Sequence, residues 1–250
     1  MMFSTQWSVH EIAKRQFLFK INANAPIFTM LIVLQIIATV FMGGASTSGY
    51  ESWDDPFSFT YTTVSNDGQI GLTMFWALIV GFLLTSAAQR NESFAFVTNR
   101  LTYQLANFYF FCTAALLGGV TTVMLGSVMK IITLVVSKGV IETAGLFSAP
   151  GDFFAQIFVM TAYTLLLMLV GYTIGIFIQL SRLFIMLFAL IWMAFTQFSF
   201  FMLSADDGGL LHFFYGETSI LLFTIKVLVA AAALFGISFW VTNRLEVRNP

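Results

Sequence analysis

The sequence predicts an all-α, polytopic membrane protein with about six transmembrane helices and an N-terminal cytoplasmic interface helix. Hydrophobic residues make up 58% of the 250 positions and charged residues only 9%, whereas a soluble domain carries about a quarter charged residues. Several apolar stretches are long enough to cross a bilayer, and the cations between them favour one side of the membrane. This composition indicates that lipid solvates most of the chain.

The N-terminal segment, residues 1–25, carries a helix start signal. Ser8 and Glu11 have the spacing of a capping box, in which each side chain accepts a hydrogen bond from the other residue's backbone N–H. We therefore expect an amphipathic helix that begins near Val9 and lies in the cytoplasmic interface, before Pro26 turns the chain into the membrane. An ordinary juxtamembrane anchor with no further role is an equally good interpretation of the segment.

Residues 26–243 are predicted to form a six-helix transmembrane domain, followed by a cytoplasmic tail over 244–250. Each crossing needs about 20 mostly apolar residues. Windows of that kind lie at Pro26–Gly43, Ile70–Ala88, Leu105–Gly126, Phe153–Leu180, Leu183–Leu203 and Ile220–Val241. A β-barrel would instead require segments of about 10 residues with alternating polarity. The run 164–178 is apolar at nearly every position, which excludes that architecture.

Two segments between the predicted spans belong to the external side. Residues 44–69 are rich in Gly, Ser, Thr and Asp, a composition typical of an ordered or semi-ordered loop. Residues 130–147 are more apolar than an ordinary loop. They either extend the third helix outward or form a separate elbow helix, for which Gly126 offers a place to break. The role of the whole external segment 127–152 stays open.

The cations define the orientation. Eight of them fall on one side of the predicted spans: Lys14, Arg15, Lys20, Arg90, Arg100, Arg182, Arg244 and Arg248. The positive-inside rule makes this side cytoplasmic, so both termini are expected in the cytoplasm. Most Asp and Glu residues lie on the opposite side, which supports the same orientation.

Several classes of function lack the residues they require. The net charge is −1 and the cations are scattered, so no nucleic-acid partner is predicted. The two histidines, His10 and His212, are far apart, and no metal site is expected. The sequence suggests no catalytic pairing of a base with a serine or with the single Cys112, which argues against an enzyme. A glycine-rich loop ending in Gly-Lys-Ser or Gly-Lys-Thr is also missing from the sequence, so ATP would have to bind another subunit.

Within the predicted spans, one cation and one glycine pair are candidates for a special role. Lys226 lies about a third of the way into the sixth span, and an ionisable residue at depth is a candidate substrate-path residue. Snorkelling to the outer headgroups, or a bond to a neighbouring carbonyl, explains Lys226 slightly better. Gly171 and Gly175 form a small-xxx-small pair that favours close helix packing.

The cytoplasmic connection over 89–104 contains the most informative pattern. Glu92 and Arg100 bracket the apolar Phe94 and Phe96, which fits a short amphipathic helix with aromatic side chains available to a groove on a partner. In layout, nearly the whole chain resembles the permease subunits of type-2 ABC exporters, with an interface helix, six spans and a coupling helix in this loop. In that family an acid opens the loop and an Arg ends it before the third span, matched here by Glu92 and Arg100.

The resemblance implies a transport function. It implies a permease that pairs with a second copy or a paralogue, and with two ATP-binding subunits that hold ATP and Mg. The chain itself would carry no cofactor and would lie in a bacterial plasma membrane, in contact with membrane lipid. Glu92, Phe94, Phe96 and Arg100 would couple to the ATP-binding subunit, and an amphipathic peptide or lipid-like substrate would move outward. The alternatives are a scaffold or sensor subunit that moves nothing and, less well supported, a secondary transporter, for which buried acids or broken helices near the midplane are missing from the sequence.

Overall fold

The described part of the chain is predominantly helical and includes one antiparallel pair of strands. A computed structural model describes residues 8–42, 46–53, 57–64, 66–86, 89, 100–137, 149–181, 183–190, 193 and 219–245. The elements in chain order are α1 (Val9–Ala23), α2 (Ala25–Met42), β1 (Ser46–Trp53), β2 (Phe57–Val64), α3 (Asp67–Leu83), α4 (Arg100–Ser137), α5 (Pro150–Leu180) and α6 (Ile220–Leu245). A further helical segment covers 183–190.

Helix α1 begins with the predicted capping box. The backbone N–H of Ser8 donates to Glu11 Oε2 at 3.1 Å, and the backbone N–H of Glu11 donates to Ser8 Oγ at 3.3 Å. The helix ends where Asn24 Nδ2 donates to the Lys20 carbonyl oxygen at 2.8 Å. Pro26 supplies no backbone N–H to continue the α1 ladder, and α1 and α2 meet at a bend of 51°. The helix is confirmed, and its position in the interface stays a prediction.

The apolar helices indicate a membrane-embedded, multi-pass protein. Among the described residues, three helices are long and apolar enough to cross a bilayer, at Leu101–Ile132, Pro150–Leu180 and Ile220–Thr242. The number becomes four if α1 and α2 together form one bent span. Helix α3 is apolar but has 17 residues. Six spans therefore stay a prediction, and most of the fifth predicted window lies beyond the described 183–190.

The surfaces of these helices are apolar, as lipid contact requires. On α6, the side chains of Leu221, Leu228 and Trp240 are exposed. In water, an apolar surface this continuous would drive association or aggregation. Exposed apolar side chains on a long helix are instead stable against acyl chains.

Helix α4 continues through Gly126 to Ser137 without a break and has 38 residues. The third helix therefore extends outward at least through Ser137, and the remainder of the predicted segment, 138–147, lies outside the described residues. At a rise of 1.5 Å per residue its length is about 57 Å, well beyond the roughly 30 Å of a hydrocarbon core. A Cβ at Gly126 would lie 2.5 Å from Asn66 Nδ2. Gly126 thus allows the close approach of Asn66 and does not end the helix.

Strands β1 and β2 form an antiparallel pair within the segment that the sequence predicted as a loop. Ser46 lies opposite Val64, and Trp53 lies opposite Phe57. The sequence analysis did not predict this hairpin. Residues 57–64 are rich in Phe, Tyr, Thr and Val, which are residues that favour strands.

The described chain forms two compact units. Unit 1 falls within Met1–Phe17, Leu78–Phe111 and Leu165–Pro250, and unit 2 within Leu18–Ala77 and Cys112–Thr164. In unit 1, the rings of Phe111 and Tyr172 meet edge to face at 5.2 Å. In unit 2, Val123, Phe153 and Met160 form a buried cluster. The predicted boundaries at residues 25 and 243 stay predictions.

Candidate functional site

The predicted coupling residues lie at or beyond the edge of the described structure. Glu92, Phe94 and Phe96 are outside the described residues. Arg100 is the first residue of α4, and the structure describes its backbone but not its side chain. Helix α4 thus begins before Leu105, the start of the predicted span, and reaches the end of the predicted coupling loop.

Lys226 lies on a row of α6 whose neighbouring apolar side chains are exposed. Its side chain is half-buried, and Leu222 and Val229, four residues before and three after it, are both exposed. Residues at these spacings share one face of a helix. The role of Lys226 therefore stays a prediction, with snorkelling, a bond to a neighbouring carbonyl and a contact with substrate as the alternatives.

The predicted glycine pair lies at a close contact between α3 and α5, inside unit 1. A Cβ added at Gly171 would collide with the Leu78 carbonyl oxygen, and one at Gly175 would collide with Thr85 Oγ1. From the opposite side, a Cβ at Gly81 would collide with the backbone of α5. The two backbones therefore touch at Gly81 and Gly171. At Gly175 the side chain of Thr85, two residues beyond the end of α3, fills the space.

A buried polar cluster that the sequence analysis did not predict lies in unit 1. The Tyr172 hydroxyl donates to Gln104 Oε1 at 3.2 Å and accepts from Asn107 Nδ2 at 3.1 Å. Gln104 Nε2 is buried and has no hydrogen-bond partner among the described residues, and the same holds for both amide atoms of Gln16. Unpaired buried amides are uncommon in proteins and call for an explanation.

A larger polar assembly joins α2, α3 and α4 in unit 2. We call it the threonine–glutamine network, and its members are Gln35, Thr39, Gln69, Thr73, Thr121 and Thr122. Gln35 Nε2 donates to Thr121 Oγ1 at 2.9 Å and to Thr122 Oγ1 at 3.2 Å. The hydroxyls of Thr73 and Thr122 are 2.8 Å apart. Three apolar helices are thereby cross-linked by neutral hydrogen bonds.

Gln69 occupies one end of the network. Its Nε2 donates to Thr39 Oγ1 at 3.0 Å. Its side chain is 3% exposed, and its Oε1 has no hydrogen-bond partner among the described residues. The network can therefore accept one further hydrogen bond at a fixed, buried oxygen.

The described residues contain no candidate metal site, because no three side chains from His, Cys, Asp and Glu cluster there. No family model matches the sequence, and no curated protein or solved structure gives a match.

Lys20 has an environment that the sequence analysis missed. It was counted among the cytoplasmic cations, but its side chain is 4% exposed, on the same face of α1 as the buried Ala13 and Gln16. Lys20 precedes the first predicted span, and burial lowers the pKa of its ammonium group from 10.5 to about 7. The desolvated ammonium loses its hydration, which favours the neutral amine.

This pKa predicts a pH dependence of stability. Between about pH 7 and 10.5 the unfolded chain holds the Lys20 proton and the folded chain releases it, so the free energy of unfolding rises with pH in this window. The expected slope is about 1.4 kcal/mol per pH unit at most. Below pH 7 both states are protonated, and the cost of the buried charge is present in full.

The measurement is thermal unfolding of purified protein in detergent at pH 7, 8 and 9. The wild-type melting temperature should rise relative to that of Lys20→Met. Lys14→Met, at an exposed lysine of the same helix, should follow the wild type. Parallel pH profiles for the wild type and Lys20→Met would contradict the assignment.

Proposed function

We propose that the chain is the transmembrane permease subunit of an ATP-driven ABC exporter, with both termini in the cytoplasm of a bacterial plasma membrane. The observation that carries the proposal is the order of elements. A capped helix α1 meets the apolar helix α2 at a 51° bend, and long apolar helices follow. This order supports an interface helix ahead of a transmembrane domain.

The energy source is assigned to other subunits. The sequence has no phosphate-binding loop of its own, so ATP and Mg would bind two partner subunits, and this chain would not be an enzyme. ATP binding draws those subunits together, and their motion reaches the permease through Glu92, Phe94, Phe96 and Arg100. A second copy or a paralogue of this chain completes the transporter.

Helix α4 is suited to carry that motion. It begins at Arg100, at the end of the proposed coupling loop, and continues unbroken to Ser137. A rigid element transmits a displacement at one end to its whole length. A shift of the loop would therefore move the entire helix and change the side to which the permease opens.

The proposed cargo is amphipathic, because the described helices offer neutral polar groups among apolar side chains.

The experiment that tests the proposal is affinity purification of the tagged chain from its native membrane, in which an ATP-binding subunit is expected to accompany it. A chain that arrives without one would favour the scaffold or sensor alternative.

A further inference from the structure

We propose that the threonine–glutamine network binds the neutral, hydroxyl-bearing head of a membrane lipid, with Gln69 Oε1 as the acceptor. This inference names a substrate class for the proposed permease. Only transport of the lipid rests on the proposed function. Binding of the lipid does not, because every residue of the network lies in unit 2.

The network has no donor of its own for Gln69 Oε1. The hydroxyls of Thr39, Thr121 and Thr122 each donate to the backbone carbonyl four residues earlier in their own helices. Each hydroxyl has a single hydrogen to donate, so the hydrogen in the contact between Thr73 and Thr122 comes from Thr73. Every hydroxyl hydrogen is therefore used. An unpaired oxygen at this depth costs about 1–3 kcal/mol, a cost that a donor from a bound molecule would remove.

The chemistry of the network favours a neutral head. All six members are amides or hydroxyls, and none carries a charge. A charged head buried among them would lose its hydration without gaining a counter-ion from the network. A hydroxyl group instead donates to Gln69 Oε1 and brings no charge into the network.

The edge of the network adjoins exposed apolar side chains on α2 and α4. On α4, Thr121 is half-buried between the exposed side chains of Leu117 and Met124, at spacings that share one face. On α2, Thr39 adjoins the exposed Ile36 and Val40. An acyl chain along these apolar side chains would place its own head at the network, and a ligand from water would meet an apolar surface instead.

The test compares two probes that share one acyl chain. Monoolein carries two free hydroxyls and no charge, whereas methyl oleate has the same chain and ester but no donor. The purified full-length protein is reconstituted in phosphatidylcholine nanodiscs, and its melting temperature is measured against each probe. Monoolein should raise the melting temperature saturably, and methyl oleate should not.

Substitution locates the site. In Gln69→Met, which keeps the side-chain length and removes the acceptor, the apparent affinity for monoolein should be roughly tenfold weaker, the loss expected for one buried hydrogen bond. Gln16→Met changes a buried glutamine in unit 1 and should leave the response intact. If Gln69→Met does not fold, Gln69→Asn withdraws the amide by one methylene and should weaken binding in the same direction.

Three results would overturn the proposal: equal shifts from both probes, no shift from monoolein, or an undiminished monoolein shift in the Gln69 variants. The assay contains no ATP-binding subunit, so its outcome is independent of the exporter proposal. A co-purifying ATPase without a monoolein response would leave the exporter standing and remove the lipid-head site.

Discussion

Replacing Gly171 with valine should prevent α3 and α5 from packing and should strongly lower the yield of folded protein. The Cβ of any substituent would collide with the Leu78 carbonyl oxygen, a backbone atom that cannot move without shifting α3. Overpacking of this kind costs about 1–3 kcal/mol, and occasionally more. Gly175→Val should behave in the same way because Thr85 Oγ1 occupies the corresponding space.

The helix α6 offers a matched control. Among the described residues, a Cβ at Gly236 has no heavy atom within 4 Å beyond the adjoining backbone of α6, so Gly236→Val adds the same side chain without a collision there. Size-exclusion chromatography of a fluorescent fusion, before and after heating, measures the folded fraction of each variant. Equal melting temperatures for Gly171→Val and Gly236→Val would contradict the close contact between α3 and α5.

The double substitution Phe94→Ala and Phe96→Ala should abolish coupling while the protein stays folded in the membrane. If these rings fill a groove on the ATP-binding subunit, their loss should cost about 2 kcal/mol or more of interface energy, or roughly 30-fold in the affinity of the coupled state. ATP hydrolysis by the partner should persist, and ATP-dependent export should fall by a similar factor.

The control for this experiment is a pair of exposed phenylalanines elsewhere. Phe41 on α2 and Phe75 on α3 are both highly exposed. Their replacement by alanine removes two rings of the same kind from an apolar surface outside the proposed coupling loop. This variant should export at the wild-type rate. A wild-type rate in the Phe94 and Phe96 variant would refute their role in coupling.

Local sequence signals predicted the helices well. Helix α2 was expected at Pro26–Gly43 and is found at Ala25–Met42, and α5 was expected at Phe153–Leu180 and is found at Pro150–Leu180. A long apolar run identifies such a helix because a segment surrounded by lipid is apolar along its whole length. The α1 capping box was predictable for a similar reason, since its partners are three residues apart.

Tertiary contacts were less predictable. Gly126 is a helix breaker by propensity, but in α4 it accommodates Asn66, a residue 60 positions earlier. The close contact at Gly81 was not predicted either, although Ala77 four residues before it completes a small-xxx-small pattern. Propensity alone does not distinguish a glycine at a break from a glycine at a close contact.

The buried polar clusters could be identified only from the fold, because their members are far apart in the sequence. Gln35 and Thr122 are 87 residues apart in sequence, and neither stands out alone among the threonines and glutamines of the chain. The burial of Lys20 could have been predicted from the sequence. Lys20 lies seven residues after Ala13, so a helical face through the buried Ala13 passes through Lys20 as well.

The most direct test of the exporter is purification of the tagged chain from its native membrane in mild detergent, followed by mass spectrometry and an ATPase assay. The proposal predicts a co-purifying ATP-binding subunit near one-to-one stoichiometry, with ATP hydrolysis that follows the complex through size-exclusion chromatography. A preparation that retains other intact membrane complexes but contains no such subunit would contradict the exporter and favour a scaffold or sensor.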